Sequence, residues 1–506
     1  MTELKGQSIL ILGLGSSGLA MARWCARCGA DVTVADTRQS PPQLEALGRE
    51  VPGARFVHSN FEDSLLDVAP FAAAFKSPGL TPGSVDLLAH STKKRFARIQ
   101  GELDLFCQAL DDLKDLRAYK PTVLAITGTN GKTTVTALTG QLIERANKSV
   151  AVAGNIGPSL LDTLAGHLDS GVLPEVWVIE LSSFQLDSVE RFEPTAAAVL
   201  NITQDHLDWH GSMSAYTAAK SKIFGSKTRM LLNREDPLVM GMLPVSPEKG
   251  RVKDFKRREY ETFGSDMPQR PGDFGLEEVN GMVWLVRAMK LENVQRKRNE
   301  VAEELFIQRL LPADALRIRG RHNAVNALAA LALAMSAGCS LAPILFGLRE
   351  YRGEPHRVEP VAIINGVEFF DDSKGTNVGA TVAALHGLGS ERRLVVILGG
   401  DGKGQDFSPL VVPVQRYARA VVLIGRDAPL IKAVLSTTGV PLVDAATMEL
   451  AVAATSQLAH SGDAVLLSPA CASFDMFDNY PHRAAVFRDA VTAINAAAEL
   501  AMVGHP

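Results

Sequence analysis

The sequence feature that most constrains the fold is a glycine-rich turn, T-G-T-N-G-K-T-T, at residues 127–134. An apolar run at residues 123–126 precedes it, and Val135, Leu138 and Leu142 after it share one face of a helix. A strand, such a turn and a helix together leave backbone N–H groups at a helix N-terminus, where they can hold phosphate. The pattern therefore predicts a phosphate site in an α/β unit.

Two side chains in this turn suit a nucleoside triphosphate. Lys132 brings a positive charge for the outer phosphates, and the Thr133 hydroxyl is placed to ligate Mg²⁺. The standard loop G-x-x-x-x-G-K-[ST] would have glycine where Ile126 stands, whereas Gly128 comes two residues later. The alternative is an ordinary strand–helix turn that happens to contain Gly-Lys-Thr.

Length and composition limit the class of protein. The chain has 506 residues, enough for about three domains of roughly 150 residues each. The formal net charge of −4 offers no electrostatic case for binding nucleic acid or an anionic membrane. No apolar run approaches the ~20 residues of a membrane helix, the N-terminus does not resemble a signal peptide, and five cysteines do not indicate a disulfide framework. We expect a soluble, cytoplasmic monomer.

A second glycine-rich turn lies near the N-terminus. Residues 8–12 form a buried type of strand, G-L-G-S-S-G follows at 13–18, and a helix is predicted to about Cys28. The next predicted strand, residues 31–36, ends in Asp36, as the dinucleotide-binding fingerprint requires. Alone, this fingerprint favours an oxidoreductase that binds NAD or FAD, although other nucleotide diphosphates use the same turn.

The middle of the chain predicts a parallel sheet covered on both faces, because continuous apolar strands alternate with helices. Ligands of such sheets bind at the carboxyl ends of the strands. Asn155, Glu180 and the loop 203–206 should therefore gather near the phosphates held by Lys132. Glu180 ends a strand, the position that a Mg²⁺ ligand needs. The H-x-x-x-H pattern at 206–210 lacks the glutamate and the third ligand of a zinc site.

The C-terminal third predicts another α/β domain. An Asn-Gly turn at 365–366 joins two apolar runs in a hairpin, and later strands are predicted at 394–398, 421–424 and 465–467. Between residues 237 and 319 the signals fade. That region contains basic clusters at 251–258 and 296–298, predicted to be solvated faces, and a possible hairpin around Asn280-Gly281.

Several longer motifs carry a family resemblance. They are E-L-S-S-F-Q-L at 180–186, N-I-T-Q-D-H-L-D at 201–208, A-A-K at 218–220, G-R-H-N-A-V-N at 320–326 and D-S-K-G-T-N at 372–377. With the loop T-G-T-N-G-K-T-T, they resemble the Mur ligase family, and in particular its D-glutamate-adding members. The resemblance covers nearly the whole chain and is interrupted mainly at 237–319.

The resemblance implies a fold and a reaction. The fold would have a Rossmann-like domain at 1–118 for the UDP-sugar, a central P-loop ATPase-type parallel-sheet domain at 119–352, and a C-terminal Rossmann-like domain at 353–506 for the amino acid. ATP would phosphorylate UDP-N-acetylmuramoyl-L-alanine, and D-glutamate would attack the acyl phosphate, in peptidoglycan precursor synthesis. The rival hypotheses are a sister ligase such as folylpolyglutamate synthase, an NAD- or FAD-dependent oxidoreductase, and a non-enzymatic nucleotide-binding module.

The resemblance also implies residue roles. Residues matching the ATP site are Gly128, Thr129, Asn130, Gly131, Lys132, Thr133, Thr134, Asn323, Asn326, Arg357 and Asp372. Those matching the Mg²⁺ site are Thr133, Glu180, His206 and Lys220, with Lys220 carbamylated, and the expected catalytic set is Lys132, His206, Lys220 and Asp372. Those matching the substrate sites are Ser16, Ser17, Asp36, Thr37 and Arg38 at the uridine end, Asn155, Ser182 and Gln185, and Thr376, Lys403, Ser473, Phe474 and Tyr480 near D-glutamate.

Overall fold

The computed structural model describes residues 2–85, 99–244, 258–290 and 305–503. These residues form four sheets, of which three are wholly or mainly parallel and one is a small antiparallel sheet. The α/β class and the succession of three α/β units predicted from the sequence are confirmed. The basic cluster at 296–298, and all of the one at 251–258 except Arg258, lie outside the described residues. Within the described part of the chain, no helix combines the length and the apolar character needed to cross a bilayer.

The first sheet is parallel, with strand order β3-β2-β1-β4-β5. Its strands are β1 Ser8–Leu12, β2 Asp31–Asp36, β3 Arg55–His58, β4 Ala73–Lys76 and β5 Ile99–Gln100, and its helices are α1 Ser16–Arg27, α2 Leu44–Glu50 and α3 Glu102–Arg117. The predicted strand–turn–helix–strand order is confirmed. The apolar residues at 9–12 are fully buried because β1 lies between β2 and β4.

The second sheet is also parallel, with strand order β11-β10-β9-β6-β8-β7. Its strands are β6 Thr122–Thr127, β7 Val150–Gly154, β8 Val176–Glu180, β9 Ala196–Val199, β10 Arg229–Asn233 and β11 Tyr260–Phe263. The helices of this unit are α4 Lys132–Arg145, α5 Leu160–Ser170, α6 Ser183–Ser188, α7 Leu207–His210, α8 Met213–Ser221, α9 Pro237–Met240, α10 Arg321–Ser336 and α11 Leu341–Glu350. One face shares a core with the N-terminal unit, where Trp177 meets Phe106 of α3, and the other packs against the Ala- and Leu-rich helix α10.

The region between residues 237 and 319, where the sequence signals fade, contains a third sheet, which is antiparallel. It comprises β12 Phe274–Val279, β13 Met282–Lys290 and β14 Leu305–Pro312. The predicted hairpin turn at Asn280-Gly281 is confirmed, with φ angles of 52° and 78° that suit the type I′ geometry. Strand β14 was not predicted, because most of its residues are only partly buried and its sequence lacks a clear alternation of apolar and polar residues.

The fourth sheet has strand order β15-β16-β20-β17-β18-β19, and only β15 runs antiparallel to its neighbour. Its strands are β15 Glu359–Ile364, β16 Val367–Asp371, β17 Leu394–Gly399, β18 Ala418–Ile424, β19 Leu442–Asp444 and β20 Ala464–Leu467, and its helices are α12 Val378–Gly389, α13 Val411–Tyr417, α14 Ala428–Leu435, α15 Met448–Leu458 and α16 Tyr480–Val503. Because β16, β20 and β17 are adjacent and parallel, the segments at 371–377, 468–474 and 399–403 emerge at one edge.

Short 3-10 helices occupy several connections between these elements. They are Thr2–Leu4, Asp63–Asp67, Pro82–Val85, Ala313–Ala315, Ser408–Leu410 and Ser436–Thr438.

Candidate active site

The turn between β6 and α4 has the backbone geometry expected of a phosphate-binding loop. Gly128 and Gly131 have φ angles of 156° and 84°, and a Cβ at Gly131 would lie 2.7 Å from Asn326 Oδ1. The end of β9 holds the loop, since Thr129 N–H donates to the Asn201 carbonyl and Asn130 N–H donates to Asn201 Oδ1, both at 2.9 Å. Glycine is therefore required here both for the backbone angle and for space.

Lys132 begins helix α4 and folds back over this loop. Its Nζ donates to the carbonyls of Gly128 and Thr129, each at 2.9 Å. Burial lowers the pKa of Lys132, and the negative charges of Glu180 and Asp205 act in the opposite direction. The ammonium group is thus held at the loop by oxygen acceptors that a phosphate could replace.

Glu180 and Lys220 lie beside the loop and are almost completely buried. Glu180 ends β8 in register with Ile126 of β6, and its Oε1 accepts a hydrogen bond from Asn155 Nδ2 at 2.8 Å. Its Oε2 has no hydrogen-bond partner among the described residues. Lys220 Nζ donates to the Gly128 carbonyl at 2.8 Å, and burial lowers its pKa well below the usual value. A buried amine whose pKa is shifted in this way is typical of functional sites.

His206 lies at the start of α7 with a positive φ of 53°. Its backbone N–H donates to Asp205 Oδ1 at 3.0 Å, and its ring packs against Phe184. Burial lowers the pKa of its imidazole. The ring of His210 instead hydrogen bonds Ser183 Oγ at 2.9 Å and stacks on Phe184. The two histidines therefore have different hydrogen-bond partners, although both rings contact Phe184.

A cavity of about 100 Å³ lies where the central and C-terminal units meet. The predicted nucleotide residues that line it are Asn130, Gly131, Thr134, Asn323, Asn326, Arg357 and Asp372. Residues separated by more than 200 positions in the sequence thus share one cleft. Typical ligand pockets occupy roughly 300–1,000 Å³, so the cleft is narrow in this arrangement of the units.

Two side chains of the C-terminal unit are directed at this cleft. Arg357 Nη2 donates to Thr133 Oγ1 at 2.6 Å, across the boundary between the units. Asp372 accepts hydrogen bonds from Ser468 Oγ at 2.6 Å and from Val358 N–H at 3.3 Å. Burial raises the pKa of Asp372 to about 7, while the Ser468 hydroxyl acts to lower it.

The residues expected near D-glutamate occupy the shared edge of the fourth sheet. Lys403 is exposed and follows β17, Thr376 and Ser473 lie in the loops after β16 and β20, and the Phe474 side chain is 71% exposed. The positive charge of Lys403 contributes to lowering the pKa of His206, so its electrostatic field reaches the loop that contains His206. Tyr480 begins α16, and its ring lies 3.9 Å from Lys374 Nζ.

The predicted uridine site lies at the carboxyl edge of the first sheet. Asp36 Oδ2 accepts a hydrogen bond from Leu14 N–H in the glycine turn at 2.7 Å. Arg38 pairs with the same carboxylate and holds the pKa of Asp36 to about 2. Ser16 and Ser17 begin helix α1 next to this turn. Thr37, between Asp36 and Arg38, directs its carbonyl to His58 Nε2 at 3.1 Å.

Ser182 and Gln185 also have a local structural role. Ser182 Oγ accepts from Gln185 N–H at 3.2 Å, and Gln185 Oε1 accepts from Ser182 N–H at 3.0 Å, which is a capping box on α6. Their involvement in substrate binding stays a prediction.

Three residues in or near the cleft were not assigned to the site from the sequence. Asp205 hydrogen bonds His206, His322 lines the cavity with a pKa that burial lowers to about 4, and Asn377 pairs with Asn130. All three lie inside motifs that the sequence singled out. A side chain's position in a motif, however, does not reveal its partner 247 residues away, as for Asn377 and Asn130.

Comparison with known proteins agrees with this geometry. Three family models match the chain: the Mur ligase MurD-like N-terminal domain at 7–94, the Mur ligase middle domain at 126–334 and the Mur ligase glutamate ligase domain at 356–471. A protein of Albidiferax ferrireducens named UDP-N-acetylmuramoylalanine–D-glutamate ligase is 66% identical and covers 100% of this chain and 99% of its own. One of the same name from Polaromonas is 53% identical, covering 98% of this chain and 99% of its own.

A solved structure shares the fold. The crystal structure of MurF ligase from Thermotoga maritima in complex with ADP is 16% identical, with a TM-score of 0.54, and the match covers 97% of this chain and 96% of that one. At this identity the likeness concerns the arrangement of the domains and not the substrate. The chain belongs to the Mur ligase family, whose D-glutamate ligases it matches along its whole length.

Proposed function

We propose that this chain is an ATP-dependent ligase that joins D-glutamate to UDP-N-acetylmuramoyl-L-alanine, in cytoplasmic peptidoglycan precursor synthesis. One observation carries the proposal. The phosphate-binding loop lies beside the buried Glu180 and Lys220, and it faces the strand ends of the C-terminal unit across the cleft. Such a cleft can bring a phosphate donor, a carboxylate and an amine together. The names of the full-length relatives specify which carboxylate and which amine.

The nucleotide end of the cleft suits ATP. The loop N–H groups and Lys132 would stabilise negative charge on the transferring phosphoryl group. Arg357 reaches the loop from the C-terminal unit and would add a second cation. Asn323 and Asn326 are hydrogen bonded to each other at 3.1 Å on α10, beside Gly131, where they would face the rest of the nucleotide.

The donor set in the cleft fits Mg²⁺. The buried Glu180 Oε2 lacks a partner among the described residues, and a buried carboxylate oxygen without a partner is costly unless a cation or donor meets it. Glu180, His206, Thr133 and a carbamylated Lys220 would hold the ion, and Thr133 Oγ1 would exchange its hydrogen bond with Arg357 for it. When bound, Mg²⁺ supplies Lewis-acid neutralisation of the phosphoryl oxygens.

Carbamylation of Lys220 is supported by its surroundings. Burial favours the neutral amine, and the neutral amine is the form that adds to CO₂ to give a carbamate and a proton. The product would be an anion next to Thr127 Oγ1, which now lies 3.2 Å from Nζ. The modification converts an amine, whose protonated form would repel Lys132 and Mg²⁺, into an anion that attracts both.

The chemistry follows from this arrangement. An oxygen of the L-alanine carboxylate attacks the γ-phosphorus, and ADP leaves with the electron pair of the broken bond. The amine of D-glutamate then attacks the acyl carbon, loses a proton, and expels phosphate to leave an amide. Lys403, Thr376 and backbone N–H groups near Ser473 would hold the two carboxylates of D-glutamate. Closure of the C-terminal unit would keep water from the acyl phosphate.

The N-terminal unit would hold the UDP-sugar. Its glycine turn and Ser16 and Ser17 at the start of α1 suit a diphosphate, and Asp36, Thr37 and Arg38 would line the uridine end. We further propose that the domains are 1–118, 119–352 and 353–506, since these boundaries fall between the sheets, and that the enzyme acts as a monomer in the cytoplasm.

An assay of phosphate release tests this function. The purified chain is given ATP, Mg²⁺ and UDP-N-acetylmuramoyl-L-alanine, and then D-glutamate, L-glutamate or diaminopimelate. We expect release that depends on D-glutamate only. Release with L-glutamate on a folate acceptor would instead indicate a folylpolyglutamate-type ligase, and nicotinamide or flavin absorbance in the purified protein would indicate an oxidoreductase. A chain that binds ATP without any amino-acid-dependent release would be a nucleotide-binding module.

A further inference from the structure

Two asparagine side chains pair across the boundary between the central and C-terminal units. Asn130 Nδ2 donates to Asn377 Oδ1 at 3.2 Å, and Asn377 Nδ2 donates to Asn130 Oδ1 at 3.0 Å. The pair is reciprocal, so both hydrogen bonds require the two units to lie in one relative position. Asn130 belongs to the phosphate-binding loop, whereas Asn377 is the N-cap of α12 and also accepts from Ala380 N–H.

The central side of the pair is rigid. The backbone N–H of Asn130 donates to Asn201 Oδ1 at 2.9 Å, and Asn201 Nδ2 returns a hydrogen bond to the Asn130 carbonyl at 3.0 Å. The backbone of Asn130 is therefore fixed at the end of β9, and its side chain remains available to contact Asn377. A shift of the loop would move the amide that Asn377 contacts.

The two units meet closely at this point. A Cβ at Gly379, in the first turn of α12, would lie 2.5 Å from Thr203 Oγ1 and 3.2 Å from Asn130 Nδ2. Only a glycine lets the start of α12 approach the loop at this distance. The amide pair is thus part of a fitted surface and not an isolated surface contact.

The C-terminal side of the pair leads towards the predicted amino-acid site. The N–H of Val378, next to Asn377, donates to Gln405 Oε1 at 3.0 Å, and Gln405 Nε2 donates to the Gly402 carbonyl at 3.0 Å. Gly402 precedes Lys403, the residue expected to hold D-glutamate. Hydrogen bonds on either side of the Asn377–Val378 peptide bond therefore link the phosphate-binding loop to the loop of Lys403.

We propose that the Asn130–Asn377 pair is a positioning contact that couples the nucleotide and amino-acid ends of the site. A nucleotide bound to the phosphate-binding loop favours the pair, the pair holds the C-terminal unit in place, and the Lys403 loop is then positioned for D-glutamate. Both amides are neutral, so the contact adds no charge to the site that binds the phosphates. The coupling of substrates rests on the proposed function, whereas the contact between the units does not.

Serine substitutions test the pair without disturbing the helix cap. Asn377→Ser keeps a good N-cap acceptor but loses the amide, and Asn130→Ser removes the other partner. In the wild type, we expect the KM for D-glutamate to fall as ATP rises. In either variant this dependence should weaken by about fivefold or more, and the double variant should be no worse than the single ones.

Thr447→Ala is the matched control, because it removes the N-cap of α15 in the same unit, where Thr447 accepts from Leu450 N–H away from the cleft. We expect it to leave the kinetics unchanged. Effects of Asn130→Ser and Asn377→Ser that simply multiply in the double variant, or an unchanged ATP dependence of the KM for D-glutamate, would overturn the proposal.

A measurement without turnover separates this proposal from the proposed function. Amide hydrogen exchange of residues 376–389 is followed with and without a non-hydrolysable ATP analogue and Mg²⁺. The analogue should slow exchange in the wild type and in Thr447→Ala, but not in Asn377→Ser, which leaves the phosphate-binding loop unchanged. Equal protection in Asn377→Ser would contradict the pairing role even if D-glutamate proved to be the wrong amino acid.

Discussion

At the scale of single residues, burial controls the charge of Asp372. Its pKa is raised to about 7, so it is protonated in the folded protein below that pH, whereas the unfolded chain ionises it near pH 4. The folded state therefore binds more protons between these values, and the contribution of Asp372 to stability falls as pH rises through this window. The ionised form that would serve the nucleotide site is thus obtained at some cost in stability.

The Ser468 hydroxyl opposes the effect of burial on the pKa of Asp372, and a substitution can remove it. Because Ser468 Oγ donates to Asp372 Oδ2, Ser468→Ala should raise the pKa of Asp372 further. We expect the acid limb of kcat/KM for ATP, near pH 7 in the wild type, to move to higher pH by up to about one unit. Ser461→Ala, at an exposed serine of the same unit, serves as the control. An acid limb that stays in place would show that another group titrates.

Residue types and spacing were enough to predict which strand ends lie beside Lys132. Glu180, Asn155 and the 203–206 loop do gather beside Lys132, because parallel strands bring their carboxyl ends to one edge. The state of Lys220 could not be predicted in this way. Its burial depends on β6 and α8 packing together, and nothing in its own segment distinguishes it from a solvated lysine.

At the scale of secondary-structure elements, the turn–helix unit at 127–145 was the most predictable part of the fold. Glycine positions and helical periodicity are local signals, and so is the Asn280-Gly281 hairpin turn. Strand β14 was not predictable, because its place in the sheet comes from β13 and not from its own weak pattern. Local sequence therefore predicted the glycine turns and the helix of the candidate site better than it predicted an edge strand such as β14.

A glycine substitution tests the loop geometry. Gly131→Ala would force an L-residue to a φ of 84° and bring its Cβ to 2.7 Å from Asn326 Oδ1. We expect at least a tenfold loss of ATP affinity, because the clash must displace either the loop backbone at 131 or the Asn326 side chain. A displacement of about 1 Å is enough to disrupt phosphate positioning.

The matched control is Gly166→Ala in helix α5, where an added Cβ meets nothing within 4 Å. It should leave ATP binding intact and stabilise the protein by up to about 1 kcal/mol, measured by denaturant unfolding. Normal ATP affinity in Gly131→Ala would argue against this loop as the phosphate site.

At the scale of the whole molecule, the contacts between the units describe a closed arrangement. The Arg357–Thr133 and Asn130–Asn377 contacts cross the cleft, and the cavity of about 100 Å³ is smaller than a nucleotide site needs. From the proposed function we therefore predict that the C-terminal unit moves away to admit ATP and then closes over the bound nucleotide. The sequence predicted that the unit would close, but the residues that meet on closure lie far apart in the chain.

A reversible cross-link tests this movement. A Cβ at Gly379 would lie 3.1 Å from Thr203 Cβ, so Thr203→Cys with Gly379→Cys can form a disulfide after a small shift. The oxidised protein should lose ATP binding, and reduction with dithiothreitol should restore it. Each single cysteine variant is the control, with no change on oxidation. Full ATP binding by the cross-linked protein would show that nucleotide enters without separation of the units.

The central claim is that the cleft makes an acyl phosphate, and an oxygen label tests it most directly. The substrate is UDP-N-acetylmuramoyl-L-alanine with ¹⁸O at both oxygens of its terminal carboxylate. It is incubated with ATP, Mg²⁺, D-glutamate and the purified chain, and the released phosphate is analysed by mass spectrometry. Because a carboxylate oxygen attacks the γ-phosphorus and leaves with it, we predict one ¹⁸O atom in each phosphate. Amide product accompanied by unlabelled phosphate would contradict the account.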